Sequence, residues 1–296
     1  MNRAAIAGLF CAVVLQAQTP GELGDYLDAL ARTAATFATT APGLMASETL
    51  DQRGRRGFIE ILRGRKNRIR RLDVSLPAEF RTHHVVSKYE LAAVGEERAL
   101  HETRAIESVD GRDETEWNGP RHALTEGLAS PDDDTKRILL ENLDREQLEG
   151  AATDFGLVML LFQKRFQKDY DFAPGSAQIL ADEPVAVLAY RQIAGSRGVT
   201  VFRDRTVERE PASGEIWFRE ADMLPIRITM NSVETLSKKY TVRTAATVDY
   251  TPSPFGLAPE KVSEKQFLRG SAAEESLLVE NEFRYSGYHR DRALLP

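Results

Sequence analysis

The chain has 296 residues, with 39 Lys or Arg against 45 Asp or Glu, so its formal net charge is −6. This mildly acidic balance excludes a general nucleic-acid-binding protein, which needs a basic surface. The single cysteine, Cys11, lies in the N-terminal leader described next. The mature chain is therefore expected to have no disulfide, no thiolate nucleophile and no thiolate metal site, and its stability must come from a hydrophobic core.

The first 17 residues have the pattern of a secretory signal peptide. Arg3 supplies a positive charge, residues 4–15 form an apolar stretch, and Ala17 offers a small residue for cleavage. About twelve apolar residues are too few for a membrane-spanning helix. We therefore expect an exported protein, periplasmic if the cell has an outer membrane and extracellular otherwise.

A capped helix and a group of strands are predicted next. Thr19-Pro20-Gly21-Glu22 fits a capping box, apolar residues then recur at helical spacing as far as Phe37, and Pro42-Gly43 ends the helix. From residue 44 to about 110 the apolar period changes to two, with Gly-containing turns between short runs. This pattern predicts an antiparallel meander with strands at Leu44–Leu50, Gly57–Arg63, Arg68–Leu76, Val85–Val94 and Arg98–Val109.

The middle of the chain, about residues 111–165, is predicted to be a helical insertion within one domain that spans residues 18–296. Ser130-Pro131 followed by Asp132-Asp133-Asp134 is typical of a helix start. The apolar run Phe155–Phe162 follows it. Strands resume afterwards, which is why an insertion rather than a separate domain is predicted.

The second block of strands has one apolar face. Its predicted members are Phe166–Phe172, Pro184–Ile193, Thr200–Thr206, a hairpin within residues 214–232, Lys238–Tyr250, Lys261–Leu268 and Leu277–Tyr288. In the hairpin, Ile216 and Phe218 alternate with Trp217, and the returning strand places an apolar set on one side: Leu224, Ile226, Ile228 and Met230. Such alternation predicts antiparallel strands with one solvated face.

No sequence motif for catalysis or metal binding is present. None of the five histidines has zinc-helix spacing, and there is no Gly-x-Ser-x-Gly elbow, Ser-x-x-Lys pair or glycine-rich phosphate loop. We therefore predict no catalytic residues, no metal and no cofactor. A hydrolase with a site that follows no known motif stays open as an alternative, and a pocket with two titratable groups of displaced pKa would support it.

Basic residues are concentrated between Arg53 and Arg71, where nine Lys or Arg accompany one acid, Glu60. One interpretation is a docking patch for anionic lipid headgroups or an acidic partner, formed by Arg55, Arg56, Arg63, Arg65, Lys66 and Arg68. The other is a solvated hairpin whose arginines prevent sheet edges from pairing with other chains.

Several short motifs give the chain a resemblance to exported proteins with the LolA-like fold, and above all to uncharacterised bacterial members. They are the hairpin Gly214–Ile228 with its Ile-Trp-Phe and Leu-Pro-Ile-Arg runs, Val109-Asp110-Gly111-Arg112, Val248-Asp249-Tyr250 before Phe255-Gly256-Leu257-Ala258-Pro259, and Phe283-Arg284-Tyr285-Ser286-Gly287-Tyr288. The chain departs from the lipoprotein carrier LolA by about a hundred extra residues, chiefly the 111–165 insertion, and by Arg219-Glu220 where an Asp is common.

The resemblance implies an α+β fold in which a curved, incompletely closed antiparallel β-barrel packs its concave face against helices. It further implies a non-catalytic binding protein for a hydrophobic ligand, such as a lipid or the acyl chains of a lipoprotein. The alternative is an envelope-stress sensor or assembly factor that binds another protein. The ligand-binding residues expected on the hydrophobic face and its helical lid are Trp217, Leu224, Ile226, Ile228, Met230, Leu23, Leu27, Phe155, Leu157 and Leu161.

Overall fold

The computed structural model describes ten stretches of the chain, and structural statements below concern these alone: residues 20–55, 79–94, 98–113, 124–128, 152–176, 178–195, 198–203, 206–237, 240–270 and 275–290. The predicted signal peptide, the strands Gly57–Arg63 and Arg68–Leu76, and the helix start at Ser130 lie outside the described residues. Within them, no helix is long and apolar enough to cross a membrane.

Helix α1 spans Pro20–Thr40, as its sequence pattern predicts. Its buried face carries Leu30, Ala34 and Phe37, all at most 1% exposed. Leu23 and Leu27, respectively two turns and one turn before Leu30, are half-buried and pack against the same core. The helix ends where the Ala41 amide donates to the Phe37 carbonyl, and the following Gly43 has a φ of 74°, a conformation that glycine adopts without strain.

Within the ten described stretches, sixteen strands and two 3₁₀ helices follow α1. The strands are β1 (Leu44–Arg55), β2 (Phe80–Val94), β3 (Ala99–Val109), β4 (Arg112–Asp113), β5 (Leu124–Leu128), β6 (Ala152–Thr153), β7 (Tyr170–Pro174), β8 (Gln178–Leu180), β9 (Glu183–Gln192), β10 (Val199–Arg203), β11 (Thr206–Glu210), β12 (Ser213–Arg219), β13 (Leu224–Ser237), β14 (Tyr240–Ser253), β15 (Gly256–Arg269) and β16 (Glu275–Arg290). The 3₁₀ helices, Phe155–Phe162 and Lys164–Asp169, lie between β6 and β7.

Most strands belong to one antiparallel sheet with the order β4-β3-β2-β1-β16-β15-β14-β13-β12-β9-β7, and β8 also pairs with β9. The predicted antiparallel pairing is confirmed, and the sheet is open, since β4 and β7 are its two ends. The predicted meander order is not, because β1 lies between β2 and β16 and β9 pairs with β12. The last strand, β16, lies beside the first, β1, a pairing that joins residues more than 200 positions apart.

Two local predictions differ from the structure. The predicted strand Phe166–Phe172 begins only at Tyr170, because residues 164–169 form the second 3₁₀ helix. The strands β5, β6, β10 and β11 form a separate four-stranded sheet in which β5 and β6 run parallel. Two of these strands, β5 and β6, come from within the predicted insertion, so that region adds strands as well as helical turns.

The large sheet curves around the first 3₁₀ helix. Gly156 of that helix accepts a hydrogen bond from the Tyr250 hydroxyl of β14 (2.8 Å), and a Cβ atom placed on it would lie 2.3 Å from Glu102 Oε1 of β3. In a flat sheet β3 and β14 would stand about 24 Å apart, since five strand spacings of about 4.8 Å separate them. Two side chains cannot bridge that distance to one residue, so the sheet must bend.

The face that meets α1 and the first 3₁₀ helix is called the inner face here. Registered pairs place a row of residues across it, each at most 1% exposed: Val109, Val85, Leu50, Phe283, Val262, Val248, Ile228, Ile216 and Leu188. Burial of apolar surface at about 25 cal/mol per Å² makes this row a main source of the fold's stability.

Candidate functional site

The predicted hydrophobic site lies on the inner face, and the structure brings part of the expected set together. Ile228 and Met230 are buried there, and Leu224 and Ile226 are half-buried. The register shifts between β12 and β13, because Trp217 pairs with Arg227 whereas Phe218 pairs with Pro225. Ile226 is thus the extra residue of a β-bulge, which ends the simple alternation of the predicted row.

Trp217 lies on the opposite face from its neighbours Ile216 and Phe218. Its indole Nε1 donates to Glu215 Oε2 (3.0 Å), and the Arg227 guanidinium sits 5.3 Å from the centre of its ring. Arg227 in turn pairs with Asp249 on the next strand, with 2.5 Å between Arg227 Nε and Asp249 Oδ1. The structure therefore places Trp217 in a polar outer-face cluster, apart from the rest of the predicted site.

The predicted lid residues cover the inner face. Phe155, Leu157 and Leu161 of the first 3₁₀ helix are at most 3% exposed, while Leu23 and Leu27 of α1 are half-buried against the core. We call α1 together with residues 155–169 the cover. The two parts are tied together by Lys164 Nζ with Asp28 Oδ1 (2.6 Å) and by Gln167 Nε2, which donates to the Leu27 carbonyl (2.7 Å).

Aromatic rings fix the cover to the sheet at two places. Phe162 lies among Tyr170, Phe172 and Tyr190, with ring centres 4.9 to 6.2 Å away. Tyr26 of α1 meets Phe218 of β12 at 5.0 Å. Tilted and edge-on ring pairs of this kind add about 0.5–1.5 kcal/mol each beyond the area they bury.

A buried hydroxyl on β14 attaches the first 3₁₀ helix to the centre of the sheet. The Tyr250 hydroxyl donates to the Gly156 carbonyl (2.8 Å) and accepts from the Met159 amide (3.2 Å). Burial raises the pKa of Tyr250 far above the neutral range, so it stays protonated and able to donate. It satisfies two backbone groups that burial would otherwise leave unpaired.

A group of charged side chains is buried where the cover meets β1 and β3. The Arg104 guanidinium donates through Nε to both oxygens of Glu48 (2.9 and 2.7 Å) and through one terminal nitrogen to Glu102 Oε2 (2.6 Å). The side chains of Glu48 and Glu102 are 2% and 0% exposed. Arg104 also faces the Tyr89 and Phe283 rings, 5.5 and 5.2 Å from their centres. We call Glu48, Glu102 and Arg104 the ion triad.

The ion triad holds two carboxylates against one cation, and their protonation is correspondingly shifted. Burial raises the pKa of Glu102 to about 7, although the attraction of Arg104 opposes this. Burial likewise raises the pKa of Glu48. Among the described residues, Glu102 Oε1 has no hydrogen-bond partner, and it is the atom that faces Gly156. Within the residues that the structure describes, no group of three or more His, Cys, Asp or Glu side chains is placed to hold a metal ion.

A second polar group interrupts the inner face farther along the strands. Gln52 donates to Asn281 Oδ1 (3.0 Å), and Asn281 and Gln266 both donate to the Glu264 carboxylate (2.6 and 2.8 Å). All four side chains belong to residues at most 2% exposed. This polar belt separates the main core from a small apolar cluster of Val242, Leu268, Leu278 and Val279.

The predicted docking patch is described at one position only. Arg55 ends β1 and is buried, with 6% of its surface exposed. Arg56, Arg63, Arg65, Lys66 and Arg68 lie outside the described residues.

Sequence reasoning missed the ion triad and the polar belt. A signal was available in the alternation of apolar and polar residues along the strands. Glu48 is two residues from both Ala46 and Leu50, at a position of β1 where the alternation predicts an apolar residue. Glu264 and Gln266 stand likewise between Val262 and Leu268 in β15. A charged residue in the apolar phase of a strand marks a buried polar group, because residues two apart share a face.

Comparisons with known proteins give weak structural similarity and no sequence match. No family model matches the chain, and no curated protein sequence matches it. Two solved structures align over most of its length. A DUF1329 family protein from Desulfovibrio piger aligns with a TM-score of 0.39 and 9% identity, covering 92% of this chain and 94% of that one. The structure of MucB in complex with MucA(peri) aligns with a TM-score of 0.21 and 12% identity, covering 88% and 94%.

Proposed function

We propose that this chain is an exported, non-catalytic binding protein for a hydrophobic ligand, a lipid or the acyl chains of a lipoprotein. The ligand occupies the inner face of the large sheet in place of part of the cover. The observation that carries the proposal is the way α1 is attached. Its C-terminal residue Thr40 accepts a hydrogen bond from Arg290, whereas its N-terminal half meets the core through half-buried Leu23, Tyr26 and Leu27.

The N-terminal half of α1 is held on the core mainly by apolar contacts, and an apolar ligand can replace such contacts with a small change in free energy. A contact that depends on buried hydrocarbon area contributes about 25 cal/mol per Å², whether the area is covered by a leucine or by an acyl chain. A ligand that covers the same area as the N-terminal half of α1 therefore replaces its apolar contacts, and the net cost is the loss of the Tyr26–Phe218 ring pair and of the bonds to Lys164 and Gln167. Such a balance between two covered states gives reversible binding.

The direct test begins with protein purified from an exporting host. Organic extraction followed by mass spectrometry should find co-purified lipid, and the extracted protein should bind a fluorescent fatty acid. The mass of the exported chain should correspond to cleavage near Ala17. Protein that contains no lipid and binds no fatty acid would overturn the proposal.

The replacement of Ile226 by Asp should weaken fatty-acid binding at least tenfold. Ile226 is half-buried at the bulge beside the inner face, and a carboxylate there costs several kcal/mol when an apolar ligand removes its water. Displacement of the fluorescent fatty acid measures the change. The matched control is Val233→Asp on the same strand, where the side chain is 49% exposed and binding should stay at the wild-type level. Equal effects of both variants would contradict the assignment.

Charge reversal at Arg65 and Lys66 should affect docking alone. Each basic residue near an anionic bilayer contributes about 1 kcal/mol, so the double change to Glu should weaken binding to phosphatidylserine vesicles tenfold or more. Fatty-acid affinity in solution should stay the same. Vesicle co-sedimentation at low and physiological salt separates the two properties, and an unchanged vesicle affinity would favour the edge-protection interpretation.

A hydrolase would need its titratable groups to reach substrate. Glu48 and Glu102 have displaced pKa values, as a catalytic pair would. Their side chains, however, are 2% and 0% exposed and engaged with Arg104. This burial supports a structural or regulatory role for the ion triad and hence the non-catalytic proposal.

A further inference from the structure

We propose that the carboxyl group of Glu102 is a proton-operated latch for the cover, which holds residues 155–162 on the sheet when protonated and loosens them when ionised. The inference rests on the proposed function, because it assigns regulation to the same cover. Three structural features carry it, namely the position of Glu102, the pairing of its two oxygens and the way the 3₁₀ helix is held.

Glu102 is in direct contact with the cover. Its Oε1 faces Gly156 so closely that a Cβ atom on that residue would lie 2.3 Å away, and Pro259 of β15 closes the other side at 3.1 Å from the same point. Only glycine fits at this position without displacing one of its neighbours. Any change in the charge or position of the carboxyl group is therefore transmitted to the start of the 3₁₀ helix.

The two oxygens of Glu102 have different surroundings. Oε2 accepts from Arg104, which also holds Glu48 through both of its oxygens. Oε1 has no hydrogen-bond partner among the residues described. A protonated carboxyl group can leave such an atom uncharged, whereas an ionised one places negative charge in an apolar contact, which is strongly unfavourable without a partner.

The surroundings favour the protonated form while the cover is closed. The charged and titratable groups around Glu102 come from every element packed near it: Glu48 of β1, Tyr89 of β2, Arg104 of β3, Tyr250 of β14, Tyr285 and Tyr288 of β16, and Asp154 at the start of the 3₁₀ helix. Arg104 is the one cation among these groups, and its positive charge is shared between Glu102 and Glu48. Asp154 adds a second repulsive charge, although its Oδ1 accepts from the Leu128 amide (2.6 Å).

The direction of the pH effect follows from these contacts. Opening exposes Glu102 to water and returns its pKa from about 7 towards the ordinary value of 4.5. The open form therefore releases its proton at lower pH than the closed form, so opening becomes easier as pH rises from about 4.5 to 7. Between pH 5 and pH 8 the opening equilibrium should increase on the order of 50-fold.

Hydrogen exchange of residues 155–162, measured without added ligand, tests the latch. After correction for the intrinsic exchange rate, protection of this segment in the wild type should fall on the order of 50-fold between pH 5 and pH 8. In Glu102→Gln, which cannot ionise, protection should be nearly constant over that range. A wild-type protection that does not change with pH, or a Glu102→Gln profile that matches the wild type, would overturn the proposal.

Glu264→Gln is the matched control. Glu264 is also a fully buried glutamate with a pKa raised to about 7, but it belongs to the polar belt and bonds Asn281 and Gln266. Its removal should leave the pH profile of residues 155–162 like that of the wild type. Loss of the profile in this variant as well would show that global stability, and not Glu102, governs the segment, and the latch would be refuted.

A second variant covers the case in which Glu102→Gln does not fold. Glu102→Met keeps the length of the side chain, removes the acid and should give the same flat profile. In the wild type, the ¹³C carboxyl signal of Glu102 should titrate near pH 7, where the protection stops falling. A midpoint near 4.5 would overturn the proposal. Because no ligand is added, the latch can stand even if fatty-acid binding fails, and the reverse holds as well.

Discussion

Replacing Arg104 with Met is expected to lower the free energy of unfolding at pH 8 by about 3–5 kcal/mol, the usual cost of removing one partner from a buried ion pair. Arg104 is the cation of the ion triad, and its loss leaves Glu48 and Glu102 buried without a counter-ion. The penalty should shrink as the pH falls, because burial raises the pKa of both carboxyl groups and favours their protonation. Urea unfolding followed by tryptophan fluorescence or circular dichroism at several pH values gives both results.

Arg243→Met is the matched comparison for this variant. Arg243 also binds a glutamate through two nitrogens, with Glu275 accepting from Nε (3.0 Å) and from the terminal nitrogen (2.6 Å). Its side chain and that of Glu275 are 32% and 30% exposed, so water can replace the lost partner. The expected loss is at most about 1 kcal/mol. An Arg104→Met penalty no larger than this would show that the ion triad does not depend on its cation.

The second large effect is a loss of stability as pH rises from 5 to 8. Burial raises the pKa of Glu264 to about 7, although hydrogen bonds from Asn281 and Gln266 favour its ionised form. An acid whose pKa is higher in the folded than in the unfolded chain binds its proton more tightly when folded. Folding therefore loses stability from about pH 4.5, the unfolded pKa, up to about pH 7.

One variant, Glu264→Gln, shows how much of this loss of stability comes from Glu264. Over pH 5 to 8, Glu264 should account for about 2–3 kcal/mol, and Glu264→Gln should remove that part of the slope. The slope is the quantity to compare, because the amide also changes the hydrogen bonds of the belt at every pH. The range should stay above pH 5, since Asp28, Asp110, Asp222 and Glu275 have lowered pKa values and stabilise the fold less in acid. Wild-type stability that does not change with pH would contradict the burial of an ionisable Glu264.

The inner face is not apolar throughout, because buried polar residues lie among its hydrophobic residues. On a sheet face that served only for packing, the two inward positions of β15 after Val262 would also be apolar. They are instead Glu264 and Gln266. Burying such groups costs stability unless each is hydrogen-bonded, and the belt supplies those bonds from β1, β15 and β16. The inner face is therefore divided into apolar and polar zones along the length of its strands.

Local patterns in the chain were sufficient for α1 and for most strands of the large sheet, but not for β5 and β6, which lie in the predicted helical insertion. The capped helix α1 and most strands were predictable, because backbone geometry repeats every 3.6 residues in a helix and every two in a strand. In β14, for example, Val242, Ala246, Val248 and Tyr250 share the buried face that their spacing predicts. The bulge that sets Ile226 apart was not predictable in this way, since it depends on how two strands pair.

The sequence by itself determined the amphipathic helix, most strands of the large sheet and the apolar side of each, because these depend on residues a few positions apart. Tertiary structure alone decided that β16 lies beside β1, that a second sheet forms, and that Glu102 meets Gly156. The contacts of Glu102 with Gly156 and of β1 with β16 join residues 54 and more than 200 positions apart, and no local periodicity encodes a partner at that distance. The contact of Glu102 with Gly156 arises because the curved sheet buries its inner face under an apolar segment, residues 155–162, whose position is set by packing and not by neighbours in the chain.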